Sequence, residues 1–192
     1  NIPSTYDEII LAIKSIPAFV VAVAQLVWIW HTHNVWSRRF GLDTAYTVFV
    51  STVLLIVVLI YVYPMRIMAG GMFAWFTGDF LPSNFILTGL DQLRDMFVFL
   101  GLGFVALSLV FVEMYRYATR LSSELLLNEY ERFESRTLAL MWGGAAVIGT
   151  VCVVLAVTLP RPLVPYSGFA FSLLGAWFPL VRWRRHKSMP GG

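Results

Sequence analysis

The sequence predicts an all-α fold, a polytopic membrane helix bundle, on three observations. Five apolar stretches, at about residues 9–30, 44–63, 96–112, 137–159 and 163–181, occupy most of the 192 residues. A helix rising 1.5 Å per residue needs about 20 mostly apolar residues to cross ~30 Å of hydrocarbon, and each stretch comes close. The composition agrees: 58% hydrophobic and 13% charged residues, with a mean hydropathy of +0.73. A soluble domain of this size cannot hide that much apolar surface. Third, the positive charge is one-sided with respect to the stretches.

The segments between the stretches alternate sides. One side receives Arg38, Arg39, Arg116, Arg120, Arg132, Arg136, Arg182, Arg184, Arg185 and Lys187, ten of the fourteen Lys and Arg residues. The other receives Arg66, Arg94 and Arg161, with Lys14 inside the first stretch near its outer end. Basic residues in short loops mark the cytoplasmic side. The C-terminus is therefore expected inside and residue 1 outside. The chain opens on Asn1 with no basic n-region and no small-residue cleavage site of a secretory signal. The expectation is that the stretches are helices two to six of a six-helix unit with both ends cytoplasmic. A five-helix protein with an outer N-terminus is the alternative.

One transmembrane domain, residues 1–187, suits this length, with 188–192 a disordered tail or cut end. The net charge of +3 and pI near 9.2 come from loops that face anionic lipid. They do not point to nucleic acid, because the basic residues flank helices and form no separate domain. Cys152 is the single cysteine, which excludes an intramolecular disulfide and a cysteine metal site.

In the first stretch, Ser4 or Thr5 is placed to cap the helix, with Asp7 and Glu8 in its first turn. Lys14 can snorkel outward. Trp28, Trp30 and Trp36 bracket the inner interface as an aromatic belt. Residues 30–44 read as a connection ended by Gly41, with Asp43 capping the second helix. That helix is an aliphatic run closed by Tyr63 and Pro64. Residues 70–89 mix Phe73, Trp75, Phe76, Phe80 and Phe85 with Gly, Pro, Asn and Asp, and read as an outer loop in the headgroup zone, with a short re-entrant piece as the alternative. Thr88 and Asp91 resemble a capping box for a third helix over about 89–118. Ser122 or Ser123 is placed to cap a cytoplasmic helix over 124–136 that leads into the fourth span, with Glu129 and Arg132 on one face. Pro160, Pro162 and Pro165 predict a tight outer turn. Gly168, Ser172 and Ala176 then recur every four residues, a spacing that lets helices approach closely.

No enzymatic constellation, cofactor motif or metal site is visible. His31 and His33 stand about 200° apart on a helix, so they cannot chelate one metal from it. No carboxylate pair lies inside a span. His31, Asp43 and Glu113 are the candidates for a charged network, all near the cytoplasmic boundary.

The stretch WIWHTHNVWSRRFGLD, residues 28–43, followed by an aliphatic helix ending in Tyr63 and Pro64, resembles the transmembrane protein 175 family of endolysosomal-type potassium channels and their prokaryotic single-repeat relatives. The matching positions are Trp30, His31, His33, Arg38, Asp43 and Pro64, and the match covers about residues 17–68. The resemblance implies six helices per repeat with both ends cytoplasmic. The family's first helix, with its Arg and Phe-Ser-Asp motif, supplies the pore lining; neither that motif nor that helix is in this chain. The loop over 70–89 is longer than the family's link.

By that resemblance the chain is expected to be a subunit of a potassium-selective leak channel, a homo-tetramer in a prokaryotic plasma membrane, passing potassium ions through an apolar constriction. Trp30, His31 and Asp43 would form a structural network at the inner helix junction and hold the pore helix. Its partners would be potassium ions and the lipid bilayer. Two other classes stay open: the membrane sensor or anchor of a larger signalling protein, and a secondary transporter, which would show inverted repeats or interrupted helices.

Overall fold

A computed structural model describes residues 5–81 and 89–187. Its elements are α1 (Tyr6–Lys14), α2 (Ile16–Phe40), α3 (Ala45–Thr77), α4 (Leu90–Arg120), α5 (Glu129–Thr158), a 3-10 helix (Arg161–Ser172) and α6 (Leu173–His186). Among the described residues, five spans are long and apolar enough to cross a membrane: α2, α3, α4, α5, and the 3-10 helix continued by α6.

Most differences from the sequence reading lie at element ends. The first stretch is broken at Ser15, whose hydroxyl turns back to the Ala12 carbonyl at 2.7 Å. Pro17 stands in the first turn of α2, where its missing N–H costs nothing; further inside a continuous helix it would break a bond. α1 is capped by a Thr5–Glu8 box; Ser4, the other expected cap, lies outside the described residues. α2 does not end at Trp30 but runs to Phe40. Gly41 closes it in the left-handed region, φ 55°, with its N–H on the Ser37 carbonyl at 3.0 Å. The connection is therefore only 41–44.

Thr44, not Asp43, caps α3, accepting from the Thr47 N–H at 3.2 Å. α3 also does not stop at Pro64. A proline removes one helix bond, which a membrane helix tolerates, and burial of Met65, Ala69 and Ala74 beyond it favours continuation. The expected loop is thus helical up to Thr77, ended by left-handed Gly78 at φ 58°. Phe85 and Thr88 lie outside the described residues. Neither Ser122 nor Ser123 caps α5. Asn128 does, in a capping box whose bonds to Glu131 are 2.8 and 3.0 Å. α5 then runs without a break from Glu129 into the fourth span, as expected.

The core lies between α4 and α5. Gly101 and Gly149 let the two backbones meet: a Cβ on Gly101 would stand 3.2 Å from the Gly149 carbonyl, and one on Gly149 3.4 Å from the Gly101 carbonyl. Such close approach is how membrane helices gain packing energy without a hydrophobic driving force. The expected stripe Gly168, Ser172 and Ala176 is not one packed face. Gly168 sits on the Phe97 ring, but Ser172 and Ala176 are exposed. The 3-10 winding repeats every three residues, so a four-residue spacing drifts off its face. An aromatic box gathers four elements: Trp142 stacks on Phe111 at 4.4 Å, and Trp28 and Phe178 flank it at 5.7 and 6.0 Å. Trp177 fills the space left by Gly144 and donates its indole N–H to the Met141 carbonyl at 3.0 Å.

Candidate functional site at the helix junction

The ends of α2, α4, α5 and α6 that carry the ten basic residues are tied to one another and to the start of α3. On α2, Ile29, His33, Trp36 and Phe40 follow a spacing of three and four and share one face. Ile29, Trp36 and Phe40 are buried, which turns His33 inward to half-burial. His33 Nε2 is 3.0 Å from Ser51 Oγ on α3. Trp36 is 2% exposed, and its indole N–H reaches the Met114 carbonyl of α4 at 3.1 Å. A buried indole needs such a partner. Trp36 is therefore a core residue, not part of an interfacial belt.

One turn on, Arg39 pairs with Glu134 of α5 at 3.0 Å. At the start of α3, Thr44 Oγ1 lies 3.2 Å from the Tyr117 hydroxyl, and the Tyr46 hydroxyl donates to Glu113 at 3.0 Å. Glu113 also pairs with Arg120 at 3.1 Å. Arg185 of α6 donates to Thr137 at 3.0 Å and lies over the Phe133 ring. The opposite end has its own clasp. Arg161 makes a two-pronged pair with Asp91 at 2.8 and 3.1 Å, and Arg94 donates to the Leu159 carbonyl at 2.9 Å.

The residues expected to form the network fall elsewhere. Trp30 is 67% exposed and stacks beside His33 at 6.0 Å. His31 points away from the His33 face and is exposed, and Asp43 is exposed beside the Thr44 cap. Among the described residues no hydrogen bond or ion pair joins Trp30, His31 and Asp43 to one another. The polar groups that do meet at the junction are those of His33, Ser51, Arg39, Glu134, Tyr46, Glu113 and Arg120. Of these, only Glu113 was a network candidate by sequence. Among the described residues no group of three or more His, Cys, Asp or Glu side chains is placed to hold a metal ion.

Five apolar spans among the described residues, one basic end and a glycine-packed helix pair define a polytopic helical membrane protein. No family model matches the chain. A potassium channel of Marivirga tractuosa is 33% identical over 144 residues, which are 71% of this chain and 58% of that protein. The chain thus spans less than two thirds of that relative's length. Among solved structures, the potassium channel MtTMEM175, crystallised as a variant with a nanobody–MBP fusion, is similar over 98% of this chain and 84% of its own. The TM-score is 0.82 at 26% identity. Both matches support the transmembrane protein 175 type of potassium channel as what this chain is similar to.

Proposed function

We propose that the chain is a subunit of a potassium-selective leak channel that assembles as a homo-tetramer in a prokaryotic plasma membrane. The carrying observation is the likeness to a potassium channel along nearly the whole chain, 98% of it at a TM-score of 0.82. The basic end faces the cytoplasm on this reading, in line with the charge bias of short loops. Ions pass a dry, apolar constriction on a pore-lining helix, and the helices described here form the wall around it. Trp30, His31 and Asp43 receive that helix. In support, Trp30 and His31 project out of the bundle, and His31 and Asp43 bond to nothing among the described residues.

Passive flow also suits the spans themselves, whose middles carry almost no ionisable side chain; such residues usually mark coupled pathways. The test is potassium flux from liposomes holding the full-length protein. Efflux should run down the potassium gradient without a proton or sodium gradient. Strict dependence on a counter-ion would replace the channel by a coupled transporter.

A further inference from the structure

Between the basic end of α4 and the start of α5 lies an open groove of about 300 Å³, lined by Arg116, Thr119, Arg120, Arg136 and Ala139. Its charge is only partly balanced from within the described residues. Of the two carboxylates on the neighbouring turns, Glu113 offsets the groove's own Arg120 and accepts from the Tyr46 hydroxyl, and Glu134 is engaged outside it with Arg39. The nearest acid on the α5 first turn, Glu131, closes its own capping box. Arg116 and Arg136 remain, both exposed, with no acidic partner. Two guanidinium groups converging on one groove suit a phosphate, which takes paired N–H donors.

The groove also sits at a defined depth. The apolar run of α4 ends at Val112, one turn before Arg116, and that of α5 begins with Thr137, directly after Arg136. From each arginine an exposed apolar track leads along the same helix face into the bilayer. Leu109 and Leu102 lie seven and fourteen residues before Arg116, and Leu140 and Val147 four and eleven after Arg136; all four are exposed. A lipid whose head enters the groove lays its acyl chains on those tracks. Basic pockets between membrane helices hold anionic headgroups in this way.

We propose that this groove is a binding site for the phosphate of an acidic membrane lipid, read by Arg116 and Arg136. The test uses the full-length protein in neutral detergent, with bound lipid counted by native mass spectrometry after titration with phosphatidylglycerol or phosphatidylcholine. Phosphatidylglycerol should be retained in preference. Arg116→Gln and Arg136→Gln should each lower its apparent affinity about fivefold, while Arg182→Gln should not. Ala139→Trp keeps every charge and fills the groove; it should abolish the preference even if the Gln variants fail to fold. Equal retention of the two lipids, or a preference that survives Ala139→Trp, would overturn the site. Displacement of the lipid by inorganic phosphate at the same concentration would assign the groove to a soluble anion instead.

Discussion

The indole N–H of Trp36 on α2 donates to the backbone carbonyl of Met114 on α4, 78 residues away, at 3.1 Å. The Trp36 ring is flanked by the tilted rings of Phe40 and His33, so the bond fixes how deeply α2 is set into the bundle. Trp36→Phe keeps most of the apolar contact and loses the bond, and should cost about 1 kcal/mol. Trp36→Ala also leaves a cavity and should cost about 3–5 kcal/mol. Thermal unfolding in detergent should rank wild type, Trp36→Phe and Trp36→Ala in that order. Equal melting of the two variants would mean that the ring contributes nothing beyond its N–H.

Adjacent glycines on α5 should respond in opposite directions. A Cβ at Gly144 collides with the Trp177 ring, whereas one at Gly143 meets nothing within 4 Å. Gly144→Ala should destabilise by about 1–3 kcal/mol through overpacking. Gly143→Ala should stabilise by about 0.5–1 kcal/mol through helix propensity. Paired melting curves read the difference. A destabilised Gly143→Ala would show that this face is packed in the assembled protein.

Two ion pairs of similar length should differ in worth. Arg161–Asp91 is the shorter, at 2.8 Å, but its side chains are 70% and 59% exposed; Arg39–Glu134, at 3.0 Å, is 22% and 30% exposed. Exposed pairs contribute about 0–1 kcal/mol. A double-mutant cycle to Ala should give a coupling near zero for Arg161 and Asp91 and a clearly larger one for Arg39 and Glu134. Raising the salt concentration should weaken the first more than the second.

The two histidines separate packing from function. His33→Ala breaks the contact with Ser51 inside the bundle and should lower stability by about 1 kcal/mol. His31→Ala and Asp43→Ala alter exposed side chains that make no hydrogen bond or ion pair among the described residues, and should leave the melting temperature unchanged while reducing potassium flux in liposomes. Wild-type flux in both would remove His31 and Asp43 from the junction with the pore helix.

Sidedness is read by thiol labelling in a Cys152→Ala background. Cysteines at Ser123 and Phe80, both exposed and at opposite ends of the bundle, should label from opposite sides of sealed vesicles, Ser123 from the cytoplasmic one. Labelling of both from outside would overturn the orientation.

The number and order of the spans were legible because apolar run length is a property of the chain alone. Their ends were not. Pro64 reads as a stop, yet burial of Met65, Ala69 and Ala74 carries α3 thirteen residues past it. Ser122 and Ser123 read as caps, but the turn at Leu126, with φ 51°, hands that role to Asn128. At the junction, the 200° between His31 and His33 placed them on opposite faces. Which face turns inward is decided by Ile29, Trp36 and Phe40 finding partners on other helices. The Arg39–Glu134 pair spans 95 residues, and no local pattern announces it.

Trp177 in the vacancy of Gly144 acts as a key in a slot. Sliding α6 along α5 by one turn, about 5.4 Å, would bring the indole against Leu140 or Ile148, each of which carries a side chain where Gly144 has none. Its N–H would also leave the Met141 carbonyl. The two helices are thus indexed to a single register and travel as one piece. Any rearrangement within the subunit has to be taken up by rotation about that piece or at the polar contacts of α2 and α3.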